Sequence, residues 1–151
     1  MDMAFAPAIS LRLPWAAVLG NHDQQGTLSR EGVMRHIAGM AHTLSRVNPV
    51  GMDIDGFGNY NLEVAGAERS NLANKSVLNL YFVDSGDYST VPAIPGYGWI
   101  KPSQQVWFQQ TSFRLQVHLK QFSIFMLPYI TCDICPTSIL IQTQFSRNLD
   151  G

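Results

Sequence analysis

The run Trp15-Ala-Ala-Val-Leu19 consists of strand-forming apolar residues and stops abruptly at Gly20-Asn21-His22-Asp23, residue types that favour turns and left-handed backbone. This predicts a strand that ends in a loop. Met34, Ile37, Met40, Ala41, Leu44 and Val47 then recur every three or four positions, the spacing of the buried stripe of a helix. Ser29 is a suitable N-cap, Glu31 sits in the first turn and Asn48-Pro49 ends the segment, so one amphipathic helix is predicted over 29–47. Tyr60, Leu62 and Val64 alternate with polar neighbours, and a second apolar strand, Val77 to Val83, closes in Asp84-Ser-Gly-Asp87. The two are expected to pair as a hairpin-like unit. Between Thr90 and Pro102 prolines and glycines mark a surface loop, and Ser103 then opens a helix carrying Val106, Trp107, Phe113 and Leu115. From Val117 to Gly151 the residues follow neither a helical nor a strand period, so local propensity and pattern disagree there.

Composition narrows the picture. A chain of 151 residues with 46% apolar content is the size of one domain and can build a core. Lys plus Arg number 10 against 11 Asp plus Glu, so no positive excess is available to neutralise a nucleic-acid backbone or an anionic membrane surface. The segment Phe122 to Ile141 is apolar but interrupted by Pro128, Asp133 and Pro136, which argues against a membrane-spanning helix. Met1 to Arg12 lacks the basic start and continuous apolar stretch of a secretory leader, so a cytoplasmic location is expected of the chain as written, although a parent protein could be secreted or vacuolar. Cys132 and Cys135 supply two ligands where a structural zinc wants four, and they read as reduced thiols.

The tetrapeptide Gly20-Asn21-His22-Asp23 is the constellation with chemistry behind it, because ligands of open α/β folds gather just beyond the carboxyl ends of strands. An Asn side-chain oxygen can ligate a hard cation, and a neighbouring imidazole can hydrogen-bond or protonate a phosphate oxygen. Asp53-Ile-Asp55-Gly56 hints at a calcium loop, but Val64 stands where an EF-hand needs its bidentate Glu, so the two acids read as solvated. Asp84 and Asp87 could be ligands at a strand end, and the competing reading is a turn whose acids accept from backbone amides. His36 and His42 fall off the apolar stripe and read as solvent-facing; Trp99, Trp107 and Phe108 read as core. Asn74-Lys-Ser76 fits a glycosylation sequon, which matters only in a secreted parent.

With its strand before it and its helix after, the block Trp15 to Asp23 resembles the Gly-Asn-His-Asp/Glu signature of the metallophosphoesterase superfamily, the calcineurin-like enzymes. Thr27 to Val33, Gly56 to Leu62, Leu80 to Asp87 and Gln104 to Phe108 are similar to the plant purple-acid-phosphatase-like branch, several members of which are described as probable inactive phosphatases. The resemblance covers residues 3–116, the central part of such a domain, and leaves 117–151 as a divergent tail. It implies an α/β fold, a four-layer αββα sandwich incomplete at both ends. It also implies a phosphate ester substrate and a pair of metal ions, iron, zinc or manganese, that clamp the attacking and leaving oxygens. By the same resemblance Asn21 would ligate one metal, His22 would stabilise the transition state or protonate the leaving group, and Asp23 would orient His22.

Departures from the family pattern shape the functional expectation. Only 19 residues precede Gly20, and they contain a single acid, Asp2, so the family's Asp-x-His and Gly-Asp-x-x-Asp/Tyr ligand blocks are absent; no Gly-His dipeptide occurs either, and His118 is the sole late histidine. One amide oxygen cannot hold two cations. The chain is therefore expected to be an inactive fragment of a metal-dependent phosphatase that does not bind the metal pair fully. The alternatives are a non-catalytic binding or regulatory fragment, working through a sheet edge, and an unstable product of a shortened gene. Protein partners are not legible.

Overall fold

The computed structural model describes residues 2–115 and 123–126. Its elements are α1 (Asp2–Ser10), α2 (Arg30–Ala38), β1 (Tyr60–Ala65), β2 (Ser76–Phe82), α3 (Pro102–Arg114) and β3 (Ser123–Met126). The architecture is mixed α/β. β1 and β2 form the expected antiparallel pair, from Tyr60 opposite Phe82 to Ala65 opposite Ser76, with a register shift between Val64 and Ala65. β3 runs parallel to β2, from Asn79 opposite Ser123 to Phe82 opposite Met126, so the sheet order is β1-β2-β3. Apart from β3, the tail over 117–151 lies outside the described residues, as do Cys132 and Cys135.

The apolar run at the end of β2 is buried on both faces, which is why it reads as continuous rather than alternating. Phe82, with Leu80 beside it, joins Leu19, Val33, Met34, Ile37 and Tyr60 in one cluster. Tyr81 and Val83 point the other way, into a second cluster with Ile54 and Trp107, as the two-residue period of a strand demands. Thus α2 packs on one side of the sheet and α3 on the other. The rings of Tyr60 and Phe82, cross-strand partners, stack with centroids 4.5 Å apart.

The helix expected over 29–47 is half as long. Ser29 caps it as predicted, its Oγ accepting from the Gly32 amide at 3.1 Å, but it ends at Ala38 with Gly39 as C-cap. His42 adopts a left-handed φ of 60°, and the chain then runs extended beside the segment that starts at Trp15. Trp15 and Thr43 form a parallel bridge, the Leu44 amide donates to the Trp15 carbonyl at 2.6 Å, and the buried Ser45 hydroxyl accepts from the Ala17 amide at 2.9 Å. Gly39 supplies a place to leave the helix, and pairing with 15–17 outweighs the helical spacing of Leu44 and Val47, which are left exposed. The strand expected at Trp15–Leu19 is thus an extended segment joined to its neighbour by a single bridge, because its pairing reaches only 15–17, and the loop 20–25 follows at its carboxyl end.

α3 begins one residue before the expected Ser103. Pro102 opens it, and the Gln104 side chain accepts from the Lys101 amide at 2.7 Å. Its buried face is Gln104, Trp107 and Thr111, whereas Val106 and Phe113 are exposed. α1 buries none of its residues. It is held by stacking of Phe5 on Trp15, 4.1 Å between centroids, and by an ion pair of Asp2 with His36 at 2.7 Å. That contact lowers the Asp2 carboxyl below its usual range, first through the hydrogen bond to His36 and then through its charge.

Candidate functional site

Leu19, almost fully buried, fixes the point at which the chain turns outward. The loop then closes on itself. Asp23 Oδ2 accepts from the Gly20 amide at 2.5 Å, the Gln24 side chain donates to the Asn21 carbonyl at 2.8 Å, and the Gln25 amide donates to the His22 carbonyl at 3.0 Å. Asn21 is half-buried, and His22 and Asp23 are exposed.

Beneath the loop lies Arg30, the first residue of α2. Its guanidinium donates to the Gly20 carbonyl at 2.8 Å and to Gln24 Oε1 at 2.7 Å, and its Nε reaches the two carboxylate oxygens of Asp84 at 3.1 and 3.0 Å. A further ion-pair contact joins Arg30 Nη2 to Asp84 Oδ1. Both side chains are withdrawn from solvent, and Asp84 also accepts from the amides of Phe57 at 2.7 Å and Gly86 at 3.0 Å. A buried carboxylate with this many donors is satisfied, as a charge in a core must be. The reading of Asp84 as an acid that accepts backbone amides at a turn therefore holds, with an arginine added.

A polar spine continues inward from Asp84. Its amide donates to Asn59 Oδ1 at 3.1 Å, and Gln104 Nε2 donates to the same oxygen at 2.8 Å and to the Asp84 carbonyl at 2.5 Å. Asn59 in turn donates to Asn48 Oδ1 at 3.0 Å, which also accepts the amides of Gly58 and Asn59. Asn48 donates back to the carbonyls of Ile54 and Gly56. One connected network thus fixes the start of α2, the loop 48–59, the end of β2 and the start of α3 relative to one another.

Above the loop stand two tyrosines. Tyr88 and Tyr97 pair across an isolated antiparallel bridge and stack with centroids 5.6 Å apart. The His22 ring meets both edge-on, 6.2 Å from Tyr88 and 5.7 Å from Tyr97, and the Tyr97 hydroxyl lies 3.3 Å from His22 Nε2. Gln25 Nε2 donates to the Tyr88 hydroxyl at 2.7 Å. Of the residues singled out from sequence, Asn21, His22 and Asp23 come together here. Asp53 and Asp55 lie elsewhere, Asp55 accepting from Ser103 Oγ at 2.5 Å. Arg30, Tyr88, Tyr97, Asn48 and Asn59 were not legible as site residues. An arginine directly after an N-cap and an acid closing a strand were the available signals, but 54 positions separate Arg30 from Asp84.

The donor set of the described residues does not fit a pair of metal ions. Among the described residues no three His, Cys, Asp or Glu side chains converge to hold even one ion, and the Asp23 carboxylate is committed to the Gly20 amide. Nor is any helix among the described residues long and apolar enough to cross a membrane.

Comparison with known proteins gives the chain relatives. No family model matches it, and no solved structure does. It is 60% identical over 118 residues to Probable inactive purple acid phosphatase 29 of Arabidopsis thaliana, covering 77% of this chain and 30% of that protein. Probable inactive purple acid phosphatase 14 of the same plant is 47% identical over 126 residues, 81% of this chain and 31% of its own length. Phosphatase DCR2 of Saccharomyces cerevisiae is 39% identical over 104 residues, 67% of this chain and 18% of its own. The chain thus spans about 30% of the length of the plant relatives.

Proposed function

The chain belongs to the purple acid phosphatase-like family, and from that premise we propose that its loop 20–25 supplies one side of a phosphate-ester site without completing a catalytic centre. In this reading Asn21 offers an amide to a phosphate oxygen or one neutral oxygen to a cation, and His22 offers an imidazole proton to an ester oxygen. Asp23 shapes the turn that presents them, through its bond to Gly20. Helices on both faces of the sheet are compatible with one part of an αββα sandwich.

The observation that carries the reading is the exposed His22 on a loop tied down by the buried Arg30–Asp84 pair, with no three metal-ligating side chains converging among the described residues. Arg30 is spent on Asp84 and on the carbonyl of Gly20, so its charge does not serve a phosphate. No step of hydrolysis is assigned to this chain by itself. The test is turnover of p-nitrophenyl phosphate by the purified, folded chain with added iron, zinc or manganese. Rates equal to those of a His22→Ala variant are expected; turnover lost in that variant would overturn the non-catalytic half of the reading.

A further inference from the structure

The resemblance casts Asp23 as the residue that orients His22, yet the Asp23 hydrogen bond goes to the Gly20 amide. We propose that Tyr97 is the positioning residue for His22, donating its hydroxyl proton to Nε2 and so leaving the proton of the neutral imidazole on Nδ1. The proposal rests on the reading of His22 as a phosphate-facing group. Three observations carry it.

The first is the contact itself, 3.3 Å between the Tyr97 hydroxyl and His22 Nε2, with no other hydrogen bond to this ring among the described residues. A phenol is the better donor and a bare imidazole nitrogen the better acceptor, which decides the direction in which the proton is shared. The second is the fixed angle of the ring. Tyr97 meets it at 83° and Tyr88 at 78°, an edge-on seat of the favoured aromatic kind. The third is that the tyrosines are themselves held. Their segments are clamped by the Ser89 amide on the Gly96 carbonyl and the Gly98 amide on the Asp87 carbonyl, both at 2.8 Å, and Gln25 from the His22 loop grips the Tyr88 hydroxyl. Gly98 is needed for this closeness, because a Cβ there would lie 2.5 Å from the Ser85 carbonyl oxygen. The consequence for chemistry is specific: Nδ1–H is the donor that His22 presents to a phosphate oxygen.

The test is the ring-nitrogen spectrum of His22 in the full chain at about pH 8.5, where an ordinary imidazole is neutral. In the wild type Nε2 is expected to resonate as the unprotonated nitrogen and Nδ1 as the protonated one, with Overhauser contacts between the two rings. Tyr97→Phe keeps the ring and removes the hydroxyl, and it is expected to shift the tautomer towards Nε2–H. A merely structural tyrosine would leave the tautomer unchanged in that variant, which would overturn the proposal. Should Tyr97→Phe fail to fold, the wild-type spectrum decides alone, since a predominantly Nε2-protonated ring or absent contacts to Tyr97 would equally overturn it. Titration with inorganic phosphate on the same sample separates the two readings: amides 20–23 that do not move remove the phosphate role and leave the tautomer result standing.

Discussion

Replacing Arg30 by lysine keeps the charge but loses the fork, because a single ammonium cannot reach Gly20, Gln24 and both oxygens of Asp84 together. Arg30→Ala goes further and strands the buried Asp84 carboxylate, at an expected cost of about 3–5 kcal/mol. Urea denaturation should show that loss, and amide shifts at 20–24 should move in the lysine variant even where the fold survives. A second residue governs alkaline stability. Tyr60 donates to the Ala17 carbonyl at 2.6 Å, and burial pushes its phenol from 10.0 up to about 12. Between those values the unfolded chain gives up the proton that the folded chain keeps, so stability must fall as pH rises through this window, by up to about 3 kcal/mol at its top. Burial raises Tyr81 in the same direction. Chemical denaturation at about pH 9 and pH 11 should show the loss, and Tyr60→Phe should remove the larger part of it.

At the scale of elements, local pattern found the two paired strands, the capped start of α2 and the helix after the proline-rich loop, since the alternation, cap and spacing that mark each element lie within a few residues of one another. It overran α2 because Leu44 and Val47 happen to keep helical spacing, while the pairing of Thr43 and Ser45 with the segment at Trp15 is set by residues almost thirty positions away. Long-range hydrogen bonding hid the support of the site for the same reason. The loop at 48–59 shows how tightly that support is built. Gly56 and Gly51 both have left-handed φ, 77° and 79°, so alanine at either costs about 1–2 kcal/mol of backbone strain. At Gly56 the new Cβ would also lie 2.7 Å from the Asp84 carbonyl oxygen, whereas at Gly51 it meets open space. Gly56→Ala should therefore lower the melting temperature distinctly more than Gly51→Ala, and should disturb the amides around Asp84.

For the molecule as a whole, the resemblance to the purple acid phosphatase-like branch was legible in the sequence and the relatives bear it out, while the roles of Asn21, His22 and Asp23 are proposals resting on the geometry of one loop. The described residues assemble a supporting scaffold for the loop 20–25, and among them no three His, Cys, Asp or Glu side chains converge on one ion. The measurement that tests this most directly is the metal stoichiometry of the purified chain after equilibration with iron, zinc and manganese in turn, read by mass spectrometry beside Asn21→Ala. The expected result is well under one tightly held ion per chain, unchanged in the variant. Two ions per chain, with at least one lost on removal of Asn21, would contradict the account and make this chain a complete metal site.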